Sequence, residues 1–78
     1  MTARKRFLLR NEQQQNVATV ITFFDEYLKH EIGFITTIDY KIHTSKIYED
    51  HFDADIIADL AALVNISYLD YIELPIKK

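Results

Sequence analysis

The tripeptide Asp39-Tyr40-Lys41 has the spacing closest to catalytic chemistry in this sequence. It places a carboxylate and an amine two residues apart, as metal-dependent nucleases do to hold Mg²⁺ and orient water. Such a site also needs a carboxylate from a neighbouring element, and an amphipathic strand with one exposed face gives the same alternation. We therefore interpret Asp39 and Lys41 as solvent-facing residues of a strand.

Histidine and acidic side chains come close together in the middle of the sequence, where they suggest a metal site. His51, Asp53 and Asp55 alternate, and a loop entering a helix could present all three to one ion. No histidine pair has the i, i+4 helical spacing of zinc motifs, and the chain has no cysteine. Acids at the start of a helix are expected in any case, since each gains ~0.3–1 kcal/mol from the helix dipole. The sequence therefore predicts no metal site and no cofactor.

The composition argues against an enzyme. The chain has 78 residues with one glycine, so it lacks both a glycine-rich phosphate loop and a glycine-flanked serine nucleophile. A chain of this length buries roughly 60–65% of its unfolded surface, which supports one core. Little room is left for a ligand pocket of the usual ~300–1,000 Å³. We expect a single domain over residues 1–78 without catalytic residues.

The elements that would position any functional side chain begin with a short strand. Lys5 to Arg10 enclose three apolar residues between basic ones, which favours an edge or semi-buried strand, although a frayed arm has the same pattern. From Asn11 the spacing becomes helical, because apolar residues recur at helical intervals. These residues are Val17, Val20, Ile21, Phe24 and Leu28. The pattern predicts a helix that Asn11 caps and that a left-handed Gly33 ends.

Strand patterns follow the predicted first helix. Residues 34–43 have period two, which predicts a strand with one wet face. Residues 44–49 predict a second short strand after a Thr44–Ser45 turn. Because this turn lacks the glycine or asparagine that a two-residue hairpin prefers, a plain loop is the alternative.

A second helix and a last strand complete the predicted elements. Residues 54–64 carry an apolar stripe and predict a helix that Asp53 caps and Asn65 ends. Residues 67–74 are apolar on both faces and predict a strand, which Pro75 stops.

The predicted order of strand, helix, strand, strand, helix, strand is that of the ferredoxin-like βαββαβ sandwich. In this small two-layer α+β fold, two helices cover one face of a four-stranded antiparallel sheet. If residues 44–49 form only a loop, the order becomes a three-stranded βαβαβ fold. Neither architecture specifies an activity, because each hosts unrelated functions.

Charge is distributed unevenly along the chain. Residues 1–10 carry four basic side chains and no acid, whereas residues 49–59 carry five acids and no base. The five acids are Glu49, Asp50, Asp53, Asp55 and Asp59. They predict an electronegative surface that docks on a basic groove of a larger partner protein. Small acidic domains of this kind include phage-type inhibitors of nucleic-acid machines, anti-CRISPR proteins among them, so a viral inhibitor is one form that this interaction protein could take. A solvated helix N-terminus is an equally good explanation of the same acids.

The basic N-terminal segment supports an alternative, a nucleic-acid-binding module. Its candidate phosphate contacts are Arg4, Lys5, Arg6 and Arg10. The net charge of −3 and the absence of a glycine-aromatic stacking motif weigh against this alternative.

Self-association is expected as a supplement to a small core, which seldom supplies more than ~3–5 kcal/mol. Phe23 and Tyr27 lie beside the apolar stripe of the first predicted helix, where aromatic anchors would form a homodimer unless the second helix covers them.

The chain has no cysteine, no signal-peptide pattern and no apolar run near the ~20 residues that cross a bilayer. We expect a soluble cytoplasmic protein without membrane partners.

Overall fold

The computed structural model describes residues 2–39, 41–49 and 51–76. Its elements are β1 (Thr2–Arg10), β2 (Asn16–Asp25), β3 (His30–Thr37), β4 (His43–Tyr48), α1 (Asp53–Leu63) and β5 (Asp70–Leu74). All strand pairs are antiparallel, in the spatial order β4-β3-β2-β1-β5. The described residues therefore form an α+β architecture, in which one helix accompanies a five-stranded antiparallel sheet.

The first four strands form a meander, and α1 carries the chain from β4 at one edge of the sheet to β5 at the other. The helix packs over β3 and β4. Between helix and sheet lie the buried apolar residues Phe7, Leu9, Ala18, Val20, Ile35, Tyr48, Ile56, Ile57, Leu60 and Ala61. In the described ranges no helix is long and apolar enough to cross a membrane.

The predicted helix from Asn11 to Gly33 is wrong, because these residues form a loop, β2, a second loop and the first half of β3. The run from Val17 to Thr22 is rich in β-branched side chains, which restrict χ1 and favour strands. Apolar residues occupy both faces of β2 and hide the alternation that marks a strand. Their spacing therefore imitates that of a helix.

Two polar side chains close the loops on either side of β2. The Asn11 side-chain oxygen accepts hydrogen bonds from the N–H groups of Gln13 and Gln15, at 2.9 and 3.0 Å. The Asp25 carboxylate accepts two more from backbone N–H groups of the next loop, at 3.0 and 3.3 Å. Asn11 therefore closes a hairpin loop and does not cap a helix.

Gly33 has a packing role in the middle of β3 and does not end a helix. A Cβ atom at this position would lie 2.9 Å from both Ile56 Cγ2 and Leu60 Cδ1, and 3.0 Å from Tyr48 Cε2. Because glycine has no side chain, α1 can approach the sheet this closely.

The second half of the chain is closer to prediction. The short strand expected in residues 44–49 is confirmed as β4, but the turn before it spans residues 38–42 and not Thr44–Ser45. The helix expected over residues 54–64 is confirmed as α1, and its N-cap is Phe52, not Asp53.

Asn65 ends α1 as predicted. Its φ of 57° is left-handed, and its N–H donates to the Ala62 carbonyl at 3.1 Å. The N–H of Ile66 donates to the Ala61 carbonyl at 2.9 Å, which completes a Schellman motif. The observed order of ββββαβ nevertheless differs from both the ferredoxin-like order and the three-stranded alternative, since the first expected helix is a strand.

Candidate protein-binding face of the sheet

Strand alternation divides the side chains of the sheet between two faces. One face is covered by α1 and includes Val20 and Ile35, which pair across β2 and β3 and are inaccessible to solvent. On the other face, called the open face, no described helix or strand packs. The open face consists of Ala3, Arg6, Leu8, Thr19, Ile21, Phe23, Ile32, Phe34, Thr36, His43, Ser45, Ile47, Ile72 and Leu74.

The cross-strand register aligns the open face in three rows. The first row is Ala3, Phe23, Ile32 and Ile47. The second row is Leu74, Arg6, Ile21, Phe34 and Ser45. The third row is Ile72, Leu8, Thr19, Thr36 and His43. Apolar side chains dominate the first two rows, while hydroxyl and imidazole groups enter the third.

The apolar side chains of the open face are accessible to solvent despite their size. Ile47 is 54% exposed and Ile72 is 39% exposed. Ile21, Phe23 and Phe34 are half-buried, although no described helix or strand packs on this face. A contiguous apolar surface contributed by five strands is typical of an interaction site.

A hollow lies at the β5 side of the open face. Pro75 and Ile76 line it together with Ala3, Arg6 and Ile21, and its volume is about 590 Å³. A large side chain of a partner protein can occupy this hollow.

Polar contacts are concentrated at the margin of the open face. The rings of Phe34 and His43 stack with centroids 6.1 Å apart and an interplanar angle of 25°. The Thr36 hydroxyl lies 3.0 Å from His43 Nδ1. Beyond the third row, Arg10 donates two hydrogen bonds to Asp70, at 3.0 and 2.9 Å. An apolar centre with a polar margin is the usual anatomy of a protein interface.

Part of the predicted acidic surface is used inside the fold. Asp53 forms an ion pair with Lys5 of β1, and this hydrogen-bonded contact raises the pKa of the lysine. Asp59 accepts hydrogen bonds from Lys46 Nζ at 3.0 Å and from the Tyr48 hydroxyl at 2.7 Å. Both carboxylates thus join α1 to the sheet.

The contact between Asp59 and Tyr48 shifts the pKa of both groups. The hydrogen bond from Tyr48, followed by that from Lys46, lowers the pKa of Asp59. Burial, followed by the hydrogen bond to Asp59, raises the pKa of Tyr48. The phenol therefore remains a donor and the carboxylate an acceptor through the neutral pH range.

The other predicted acids differ in their surroundings. Glu49 is exposed and lies 3.3 Å from His30 Nε2. Asp55 is exposed in the first turn of α1. Asp50 lies outside the described residues. Of the described acids in this group, Glu49 and Asp55 are the ones that make no contact between α1 and the sheet.

The four basic residues predicted to bind nucleic acid are distributed over both sides of the sheet. Lys5 faces α1, whereas Arg6 lies on the open face, because side chains alternate along β1. Arg4 pairs with Glu31 at 2.8 Å and Arg10 with a β5 carboxylate at 2.9 Å. Of the four, Arg6 alone pairs with no carboxylate in the described part of the chain.

The two residues predicted to mediate self-association do not share one patch. Phe23 lies on the open face, but Tyr27 is 92% exposed in the loop between β2 and β3. The helix that would have placed them side by side is absent, because this segment forms a strand and a loop.

Asp39 and Lys41 lie in the turn between β3 and β4, and not on a strand as predicted. Thr37 and Ile42 close this turn, since the Thr37 N–H donates to the Ile42 carbonyl at 2.9 Å. Lys41 has a φ of 52°, which is typical of a turn. Tyr40, between them, lies outside the described residues.

A polar cleft of about 610 Å³ lies at the start of α1, so the expectation that a chain of this length leaves little room for a pocket is wrong. Its walls include His30, Glu31, His51 and Asp53. Glu31 pairs with an arginine of β1, and His51 Nδ1 approaches the backbone carbonyl of Glu49. Within the described ranges, no three histidine or acidic side chains come close enough to hold a metal ion.

No family model, curated protein or solved structure matches this chain. The choice of the open face as the candidate site therefore depends on its geometry. Sequence reasoning found Phe23, and it named Arg6 for a different role, but it missed their apolar neighbours in the first two rows. A usable signal is present in β2, where Ile21 and Phe23 alternate with Val20 and Thr22 and give the strand large side chains on both faces.

Proposed function

We propose that this chain is a non-enzymatic interaction protein that binds protein surfaces through its open face. The observation that supports this function is the contrast between the two sides of the sheet. One side is buried under α1, while the other presents rows of large aliphatic and aromatic side chains to solvent. Burying such a surface is favourable at roughly 25 cal/mol per Å², and α1 does not reach it.

The chemistry of the open face favours a protein over a nucleic acid. Bases bind to sheets by stacking on aromatic rings, with cations on the flanking phosphates. Phe23 and Phe34 are the only phenylalanine side chains in the rows, and most of the remaining large ones are aliphatic. Arg6 supplies a single cation without a described carboxylate partner.

Site-specific photo-cross-linking tests this function. A photoreactive phenylalanine analogue is placed at Ile47, on the open face, or at Ala58, on the exposed side of α1. In the cells from which the chain comes, we expect a protein adduct from position 47 and none from position 58. Absence of an adduct at position 47 in cells where the chain is folded would contradict the proposed function.

The finer hypothesis is an inhibitor of the phage type that also uses its acids to occupy a basic groove. Glu49 and Asp55 support it, because both are exposed and neither joins α1 to the sheet. Reversing both to lysine should weaken capture of such a partner at least tenfold and leave the fold intact. Asp53→Lys is unsuitable for this purpose, since it places a second cation beside Lys5.

A further inference from the structure

We propose that the partner of the open face is a second copy of this chain, so that two sheets pack face to face as a symmetric dimer. The inference rests on the proposed function, because it names the occupant of the same surface. Three properties of the open face support it: its area, its charge and the arrangement of its rows.

The area is sufficient for a dimer. Five strands about 4.8 Å apart give a width of about 24 Å, and three rows of same-face residues about 6.8 Å apart give a length of about 20 Å. Each copy thus contributes nearly 500 Å² in projection, and side-chain relief adds to this. Two copies bury about 1,000 Å² or more, the lower bound for a specific interface.

The charge of the open face fits a neutral, apolar partner. Its apolar rows carry one charged side chain, Arg6. The ion pairs of Lys5 and Lys46 lie on the helix side of the sheet. A second open face offers the same largely apolar surface, and two copies of one patch meet in an isologous interface.

The position of Arg6 selects the orientation of the two sheets. With the two-fold axis parallel to β2, the middle strand, β1 of one copy lies over β3 of the other. The Arg6 guanidinium then faces the Phe34 ring of the second copy, because both belong to the second row. With the axis perpendicular to the strands, β1 lies over β1 and the two guanidinium groups repel each other. The first arrangement replaces this repulsion with a cation–π contact.

The preferred axis determines which residues of β2 meet across the interface. Residues of β2 on the open face lie on the axis, so each one meets its own counterpart. Ile21 therefore packs on Ile21 at the centre of the interface, with sheets about 10 Å apart. Phe23 and Thr19 flank this contact in the first and third rows.

Solution mass tests the dimer on the purified chain. From about 1 to about 200 μM, we expect the mass from light scattering to rise from 9.2 kDa toward twice that value. Ile21→Lys should raise the dissociation constant at least tenfold, because two ammonium groups would meet on the axis. Ala58→Lys, on the exposed side of α1, is the matched control and should leave dimerisation unchanged. Far-UV circular dichroism checks that each variant is folded.

Cysteine cross-linking tests the axis without relying on a disruptive variant. The chain has no cysteine, so Ile21→Cys introduces a unique thiol. A short bismaleimide should join two such chains rapidly, whereas Ala58→Cys should give only the slow background of collisions.

A mass that stays monomeric over the whole range overturns the inference, as does a dimer that neither responds to Ile21→Lys nor cross-links at position 21. These failures are distinguishable from failure of the proposed function. A monomeric chain that still forms an adduct with a different protein from Ile47 retains the proposed function and loses only the dimer.

Discussion

Thr22 and Thr37 are both buried on the covered side of the sheet, but their hydroxyl groups differ. The Thr37 hydroxyl accepts a hydrogen bond from the Ile42 N–H at 2.9 Å. The Thr22 hydroxyl has no partner among the described residues. Burying an unpaired hydroxyl costs ~1–3 kcal/mol, so Thr22 weakens the core that it belongs to.

Thr22→Val should therefore stabilise the protein by about 1 kcal/mol, because valine keeps the shape and removes the unpaired hydroxyl. Thr37→Val is the matched control and should destabilise, since it leaves the Ile42 N–H without its acceptor. Urea unfolding at neutral pH measures both. A Thr22→Val variant less stable than the wild type would show that the hydroxyl has a partner in solution.

Asp59 gives a prediction about pH. Its pKa in the folded state lies below the reference value of 3.8, mainly because Tyr48 and Lys46 donate hydrogen bonds to the carboxylate. The folded protein therefore binds fewer protons than the unfolded chain between these two values. This contribution to stability is complete above about pH 4 and is lost as the pH falls through the folded pKa.

Asp59→Asn should thus be less stable than the wild type at neutral pH and should lose less stability on acidification. Unfolding free energies measured from about pH 6 to about pH 2 test this difference. Asp55→Asn removes an exposed carboxylate of the same helix and is the control. An acid-induced loss as large in Asp59→Asn as in the wild type would contradict the role given to this contact.

At the scale of elements, the close packing of α1 on the sheet depends on Gly33. The side chains of Ile56 and Leu60 occupy the space that a Cβ atom would take, and Tyr48 closes it from β4. Replacing Gly33 with alanine lowers the conformational entropy of the unfolded chain, which by itself would stabilise the protein by ~0.4–1 kcal/mol. Three contacts at or below 3.0 Å outweigh that gain, since two elements must move to relieve them.

Gly33→Ala should destabilise the protein by about 1–3 kcal/mol in denaturant unfolding. Leu60→Ala removes one of the three clashing atoms, so the cost of Gly33→Ala should be smaller in that background. Ser45→Ala, on the open side of β4, provides a control substitution away from α1. Equal costs in both backgrounds would show that the helix does not rest on Gly33.

At the scale of the whole molecule, a single covered face leaves the chain with a small core. A dimer through the open face would stabilise the folded state by mass action. A hundredfold rise in concentration should then raise the Tm by several degrees, roughly 5 °C for a chain of this size. Calorimetry measures the Tm of the wild type and of Ile21→Lys at both concentrations. The Tm of the variant should not rise with concentration. A wild-type Tm independent of concentration would count against the dimer.

Local sequence signals are sufficient to predict some elements of this fold and insufficient for others. α1 was predictable because its apolar stripe is bounded by a left-handed Asn65, and β4 was predictable from its β-favouring residues. β2 was not, because apolar side chains on both of its faces fit a helical spacing as well as a strand. The choice between them is made by β1 and β3, which supply hydrogen-bond partners to both edges of β2.

Local sequence signals are enough to give the α+β class, the helix α1 with its end at Asn65, and the uneven distribution of charge. These follow from propensity and composition, which act over a few neighbouring residues. The folded chain shows, beyond any local signal, that Asp53 and Asp59 join α1 to the sheet and that Gly33 leaves room for the helix. It alone assembled the open face, because the rows join residues far apart in the chain through strand register. Register depends on which strands pair, and no local pattern encodes that pairing.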